Sequence, residues 1–293
     1  MQNVVASPSV RAKARRMSID LHVLADRLGR TQLTMDDLNP QETVEQPVQN
    51  YRQYWDIDHQ QFGSVEAVKT SKFDRVAAAN LTAANAVIPQ VTHHDEVDVS
   101  HVERLRAQFK QEASVRGVKL NTLPFFVKAL AVALKKYPKF NASLSADGTT
   151  LYLKDAVHIG IAVDTEFGLM VPVIRHADQK GLWQLAAEIV DLATRAKARK
   201  LGPDEMGGAS MTITNLGGIG GTAFSPIVNP PEVAILGITR MQQRPVWNGE
   251  SFVATPMVPL DLSYDHRVIN GALAARFLSE YARSLADLRL LMV

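Results

Sequence analysis

The chain has 293 residues, of which 46% are hydrophobic and 6% aromatic, and its formal net charge is +2. This length suffices for one large core with a small appendage, whereas the weak charge and few aromatic residues argue against nucleic acid or anionic lipid as a partner. The absence of cysteine excludes disulfides, thiolate metal ligands and cysteine nucleophiles. Apolar stretches such as 123–134 are too short to cross a bilayer, and the amino terminus lacks a secretory signal pattern, so we expect no membrane association and a cytoplasmic location.

The first 38 residues predict a small helical module. Ser7 is placed to cap a helix whose first residue is Pro8. A second short helix is expected from Thr34, whose hydroxyl can cap the following amides. Residues 39–64 are polar, contain prolines and show no sustained period, which predicts a linker.

Residues 65–293 mix helical and strand patterns, which predicts one α/β domain. An alternating run, a turn and a second alternating run over 157–173 predict a hairpin. Hairpin alternation beside buried helices favours a mixed sheet covered by helices over an all-parallel doubly wound fold. The predicted helices are 69–85, 102–115, 122–137, 181–200 and 271–291, and the other predicted strands are 91–99, 210–215, 233–238 and 252–264.

The sharpest local feature is an Asp265-His266-Arg267 triplet followed by Asn270, where a predicted strand meets a helix. A free thiol has a pKa of about 8.5 and is mostly protonated at neutral pH. A histidine on such a platform can act as the general base that takes a thiol proton. The alternative is a structural ion-pair cluster, which is the commoner meaning of an isolated triplet.

A second candidate lies upstream, in the predicted strand 210–215. Thr214 is able to donate a hydrogen bond to an oxyanion, which lowers a barrier by roughly 3 kcal/mol. The alternative is a threonine selected only for its strand propensity.

The glycine-rich run 217–223 contains a formal G-x-G-x-x-A match to a dinucleotide-binding loop. We reject that function, because Phe224, Ser225 and Pro226 follow where a phosphate-binding helix should continue. A loop that lets backbone approach a ligand and a simple tight turn both remain open.

No metal site is expected from the pair His93 and His94. Neighbouring residues of a strand point to opposite faces of the sheet, so these two side chains are poorly placed to share one ion.

The string from Asp265 to Gly271 resembles the active-site signature of the 2-oxoacid dehydrogenase acyltransferase family, and its acetyl-transferring branch in particular. The similarity extends over roughly residues 65–293. Further matching motifs occur in the family's order at 158–165, 168–175, 212–217 and 224–237.

This resemblance implies a chloramphenicol-acetyltransferase-like fold assembled as homotrimers, with the active site at the subunit boundary. Coenzyme A and a lipoyl arm would enter from opposite ends, without a metal. By the family pattern His266 deprotonates the thiol and Thr214 binds the oxyanion from the neighbouring subunit. By the same pattern Asn270 would favour acetyl over succinyl, and Phe224 and Ser225 would line the coenzyme A side.

The resemblance also covers the small module. Residues 1–38 are similar to a degenerate peripheral subunit-binding domain, in which Arg11, Arg15 and Arg16 would recruit the decarboxylase or dihydrolipoamide dehydrogenase. The family's loop glycines are largely replaced in 25–32. No lipoyl domain with its Asp-Lys-Ala turn precedes the module, so the lipoyl group is expected from a separate domain or protein.

The resemblance therefore implies transfer of an acetyl group between dihydrolipoamide and coenzyme A, in the core of a 2-oxoacid (pyruvate) dehydrogenase complex. The apolar end, 288–293, resembles the tail that joins trimers into larger cores. Two alternatives stay open: a non-catalytic scaffold relative, and an acetyltransferase for a small diffusible acceptor.

Overall fold

The computed structural model describes residues 4–17, 19–28, 30–38 and 55–291. The chain divides into two compact units, residues 1–69 and 70–293. Among the described helices, none combines the length and apolar character that a membrane crossing requires.

The first unit begins with a capped helix, as predicted. Strand β1 (Val5–Ala6) leads into helix α1 (Pro8–Arg16), and the Ser7 hydroxyl accepts a hydrogen bond from the Val10 amide at 3.3 Å. A small apolar core holds the unit together, formed by Val4, Val10, Ala14, Leu24, Ala25, Leu33 and Leu38.

The prediction of a second helix from Thr34 was wrong. The second helix, α2, spans Leu21–Leu28, so the first part of the expected loop 25–32 is helical. Beyond it, strand β2 (Gln32–Leu33) pairs in parallel with β1.

A 3-10 turn, Asp36–Leu38, occupies the place of the expected helix. Thr34 donates from its amide and its hydroxyl to the Asp37 carboxylate, at 2.7 and 2.9 Å. The Asp37 carboxylate thus closes a tight turn at the position where Thr34 was expected to cap a helix.

Of the predicted linker, residues 39–54 lie outside the described residues. The remainder carries one 3-10 turn, His59–Phe62, and its side chains are exposed.

The second unit is built on a seven-stranded mixed sheet, which confirms the predicted α/β class. The order is β12-β13-β11-β10-β6-β9, and β3 pairs with β13. The β6–β10 and β10–β11 pairs are parallel and the others antiparallel. The strands of this sheet are β3 (Gln90–Asp98), β6 (Ile159–Ile161), β9 (Val173–Ile174), β10 (Met211–Asn215), β11 (Ala234–Ile238), β12 (Gln242–Trp247) and β13 (Phe252–Asp265).

Two small ribbons accompany the sheet. Strands β4 (Ala142–Leu144) and β5 (Leu151–Leu153) form one, and β7 (Val163–Thr165) and β8 (Gly168–Met170) form the other. The β7–β8 ribbon together with the β6–β9 pair confirms the hairpin predicted over 157–173.

The helices of the second unit are α3 (Lys72–Val87), α4 (Ser100–Gln108), α5 (Lys110–Val115), α6 (Leu123–Lys136), α7 (Leu182–Lys197) and α8 (Gly271–Ala286). The single helix predicted over 102–115 is two helices separated at Phe109. The helix predicted over 271–291 ends at Ala286 and is followed by a 3-10 turn, Leu288–Leu291.

The main core lies between the sheet and helices α6 and α8. Ten residues of α6 are buried, and Phe277 of α8 stacks on Phe140 with ring centroids 3.9 Å apart. The opposite face of the sheet is more polar, and it carries the candidate site.

Candidate active site

His266 lies in a tight turn directly after the long strand β13. The carboxylate of Asp265, which is buried, accepts hydrogen bonds from Arg267 Nε at 3.0 Å and from Arg267 Nη2 at 2.7 Å. The Asp265 carbonyl accepts the amides of Val268 and Ile269, both at 3.0 Å. These bonds fix the backbone of the turn on both sides of His266.

The His266 side chain is exposed and takes no part in the Asp265–Arg267 ion pair. Its backbone amide donates to the Pro89 carbonyl at 3.1 Å, and its ring lies 6.0 Å from the ring of buried Tyr264. The triplet therefore contains both features that the sequence left as alternatives: a structural ion pair and, between its members, a histidine presented to solvent.

Asn270 closes this turn and begins the next helix. Its side-chain oxygen accepts the Leu273 amide at 2.9 Å, which makes it the cap of α8. The residue is exposed, four positions after His266.

A largely apolar cavity of about 460 Å³ lies on the face of the sheet opposite the main core, under helix α3. Thr214 of β10 lines it and is half-buried. The other lining residues are Phe73, Val76, Ala77, Asn80, Leu81, Ala162, Leu169, Val171, Thr212, Phe224, Pro226, Ile227, Asn229 and Ile235.

Phe224 forms one side of the cavity, whereas Ser225 is exposed and does not line it. A Cβ atom at Gly237 would lie 2.7 Å from the Phe224 ring, so the ring occupies the space that a side chain at Gly237 would fill. Residues 222–229 form neither helix nor strand, in agreement with the rejection of a dinucleotide-binding loop.

The predicted site residues thus fall into two groups. Thr214 and Phe224 meet in the cavity, and His266 and Asn270 share the turn after β13. Within the described residues, no group of three or more histidine, aspartate or glutamate side chains is arranged to hold a metal ion.

Sequence reasoning missed a buried acid, Glu232, that contacts Thr212 of the cavity wall. Glu232 accepts a hydrogen bond from the Thr212 hydroxyl at 2.9 Å, and its other carboxylate oxygen is buried without a hydrogen-bond partner. Burial raises the pKa of Glu232 to about 7. A glutamate two residues before the buried strand β11 was the available signal.

This acid predicts a pH-dependent stability. The folded-state pKa lies above the reference value of 4.5, so folding takes up a proton between about pH 4.5 and 7. The free energy of unfolding should fall as pH rises through that window, by on the order of 3 kcal/mol from this group. Glu232→Gln keeps an acceptor for Thr212 and cannot ionise, so it should be the more stable protein at pH 8 and equal at pH 4. Urea unfolding of both proteins across this range measures the difference, and parallel pH profiles would contradict the assignment.

Residues 62–293 match the model of the family described as 2-oxoacid dehydrogenases acyltransferase (catalytic domain). The chain belongs to this family. It is 43% identical over 302 aligned positions, covering 99% of this chain and 47% of the relative, to the dihydrolipoyllysine-residue acetyltransferase component of the pyruvate dehydrogenase complex of Azotobacter vinelandii. It is 50% identical over 81% of its length to the same component of Pseudomonas aeruginosa, of which it covers 44%. The chain spans about half the length of these curated relatives.

Solved structures of this acyltransferase family share the fold. One is the Azotobacter vinelandii dihydrolipoamide acetyltransferase, studied for the role of a serine, a histidine and an asparagine in its catalytic mechanism; it matches with a TM-score of 0.79 and 48% identity. That match covers 81% of this chain and 98% of the solved one. The cubic core of a pyruvate dehydrogenase multienzyme complex matches with a TM-score of 0.79 and 49% identity, with the same coverage.

The two groups of predicted site residues are far apart in one chain. Thr214 pairs with Gly237, which pairs with Asp261, and His266 lies five residues beyond Asp261. At ~3.3 Å per residue along a strand and ~4.8 Å between strands, the backbones are roughly 16 Å apart lengthwise and 10 Å across. Neither side chain spans that distance.

Proposed function

We propose that the chain transfers an acetyl group between a dihydrolipoyl thiol and coenzyme A, with His266 as the general base. The observation that carries the proposal is the turn after β13, where the Asp265–Arg267 ion pair holds an exposed histidine at the end of a fourteen-residue strand. A histidine on such a fixed backbone is suited to proton transfer, because the base must lie within hydrogen-bond reach of the thiol.

In the proposed step, His266 takes the thiol proton as the sulfur attacks the carbonyl carbon of the thioester. The new carbon–sulfur bond gives a tetrahedral oxyanion, to which the Thr214 hydroxyl donates a hydrogen bond. Collapse of this intermediate breaks the original thioester bond. The leaving thiolate then recovers the proton from the imidazolium, so His266 is neutral again.

Spacing along the chain supports these roles. In the Azotobacter vinelandii enzyme, the studied serine precedes the histidine by 52 residues and the asparagine follows it by four. Thr214 precedes His266 by 52 residues, and Asn270 follows it by four. A threonine offers the same hydroxyl donor as a serine. We assign Asn270 to acyl selection, in favour of acetyl over succinyl.

A second copy of the chain completes the site in this proposal. Because Thr214 and His266 are too far apart within one copy, the oxyanion donor would come from a neighbouring subunit of a homotrimer. The helix α3, which covers the cavity, is exposed along nearly its whole length and carries Phe73, Val76 and Leu81, each at least 40% exposed. Such a surface is suited to contact with another copy. We further propose that trimers join into a larger core through residues 288–293.

The domain organisation is also part of the proposal: a subunit-binding module in 1–38, a linker in 39–64 and the catalytic domain in 65–293. The Arg11 guanidinium donates to the Val4 and Ala6 carbonyls, at 2.8 and 3.1 Å, and so braces the module. Arg15 and Arg16 are exposed in the last turn of α1. We propose all three for recruiting the decarboxylase or dihydrolipoamide dehydrogenase, and a separate domain or protein for the lipoyl group.

An acceptor comparison tests the proposed activity. The purified chain should transfer acetyl from acetyl coenzyme A to dihydrolipoamide and should prefer this thiol to small hydroxyl acceptors, since the site is assigned to thiol deprotonation. Preference for a hydroxyl acceptor would identify the enzyme of a small diffusible substrate instead. A folded, assembled chain that transfers acetyl to neither would be a scaffold.

A further inference from the structure

A buried carboxylate outside the assigned catalytic residues lies on the cavity face of the sheet. Asp261 of β13 is 1% exposed. One of its oxygens is 2.6 Å from Nδ1 of His94, and the other accepts the Phe224 amide at 3.3 Å. A buried carboxylate is stable only with such partners, so these contacts define its place.

The strand register brings this pair to the cavity. Thr214, Gly237, Asp261 and His94 are successive partners across strands β10, β11, β13 and β3. Directly paired residues project to the same face of a sheet. The His94–Asp261 pair is therefore in the same row as Thr214, with Asp261 about two strand spacings, or ~10 Å, from it and His94 one strand further.

Phe224 fills the gap between the pair and Thr214. Its ring occupies the space above Gly237 and lines the cavity, while its amide bonds to Asp261. The loop is fixed again further along by Gln90, which donates to the Pro226 carbonyl at 3.1 Å and accepts the Val228 amide at 2.8 Å. Loss of the Asp261 contact should therefore loosen the loop around Phe224 and leave the part bonded by Gln90 in place.

His94 is accessible from the other side of this row. Its side chain is 52% exposed and lines an open groove of about 260 Å³ together with Thr222, Ala223 and Arg244. Asp261 borders the same groove, but the imidazole lies against its carboxylate and the residue is only 1% exposed.

We propose that His94 and Asp261 are positioning residues that hold Phe224 against the cavity and so determine how tightly the thioester substrate binds. Asp261 acts through the Phe224 amide, and His94 acts through Asp261. The kinetic part rests on the proposed acetyl transfer, whereas the hold on Phe224 is a property of the fold.

Amide hydrogen exchange directly tests whether Asp261 holds Phe224 in place. In Asp261→Ala the Phe224 amide should exchange at least about tenfold faster, because it loses a hydrogen bond to a charged acceptor. Asp261→Asn should restore most of the protection, since its side-chain oxygen still accepts the amide. His94→Ala should give an intermediate rate, and His93→Ala, on the opposite face of the same strand, should leave the rate unchanged. Equal exchange at Phe224 in wild type and Asp261→Ala would overturn the proposal.

Steady-state kinetics separate positioning from chemistry. Asp261→Ala should raise KM for acetyl coenzyme A by about tenfold with kcat altered less than about twofold, because the wall is displaced and the base is intact. His94→Ala combined with Asp261→Ala should cost no more than Asp261→Ala alone, as expected for residues that act as one unit. An unchanged KM, or independent additive effects, would refute the pair's role. Amide exchange does not depend on turnover. A chain that is inactive in acetyl transfer would therefore refute the proposed function, while the exchange rates would still show whether His94 and Asp261 position Phe224.

Discussion

Replacing His266 by alanine should lower kcat/KM for acetyl transfer to dihydrolipoamide by about a thousandfold, within the range that general-base catalysis contributes. Without the imidazole, the attacking thiol must lose its proton to water, and at neutral pH only a few per cent of an ordinary thiol is ionised (pKa about 8.5). The loss should shrink as pH approaches the thiol pKa, because the thiolate then forms without a base. Rates of wild type and variant from pH 6.5 to 9 measure both effects.

The fold should survive this change, because the His266 side chain is exposed and the turn is held by Asp265 and Arg267. His101→Ala is the matched control, since it removes an exposed histidine from helix α4. Both variants should unfold in urea at the wild-type midpoint. Full activity in His266→Ala would remove the general base from the mechanism.

The strands of the central sheet could be predicted because their signals are local. The buried runs of β10 and β11 and the alternation in β13 lie within one or two residues of the bounds read from the sequence. Strand β12 was missed because Pro245 interrupts its pattern, and proline is tolerated there because β12 lies at the edge of the sheet.

The polar contacts around the cavity had no local signal. His94 and Asp261 are 167 residues apart in sequence, and Thr212 and Glu232 are 20 apart. The strand register brings His94 and Asp261 together, and a one-residue shift would place one of them on the opposite face. Glu232 reaches Thr212 from the loop that precedes β11. In the same way, Asp265 and Arg267 were recognised as charged neighbours, but the sequence alone did not decide whether His266 joins them.

The second large effect is expected from mixing two inactive variants. Thr214→Ala alone should lower kcat by about a hundredfold or more, the usual cost of losing an oxyanion donor. If each site takes its histidine from one copy and its threonine from the next, random equal mixing of Thr214→Ala and His266→Ala copies within cyclic trimers leaves about one quarter of the sites intact. The unselected mixture should then recover roughly a quarter of wild-type activity, and trimers selected to contain both variants about a third, because each has one intact site in three; both values lie far above either variant alone.

Co-expression of the two variants with different affinity tags, followed by selection of assemblies that carry both, provides the sample for this assay. A mixture of His266→Ala with His266→Asn copies is the control, because no site in it contains a histidine. Recovery of activity in the first mixture, without recovery in the control, would show that Thr214 and His266 meet across a boundary between copies. Their separation within one chain leads to the same expectation. Activity equal to the mean of the two variants would mean that no site combines residues from two copies. Thr214 could then not be the oxyanion donor, because it lies roughly 16 Å along the sheet from His266 of its own copy.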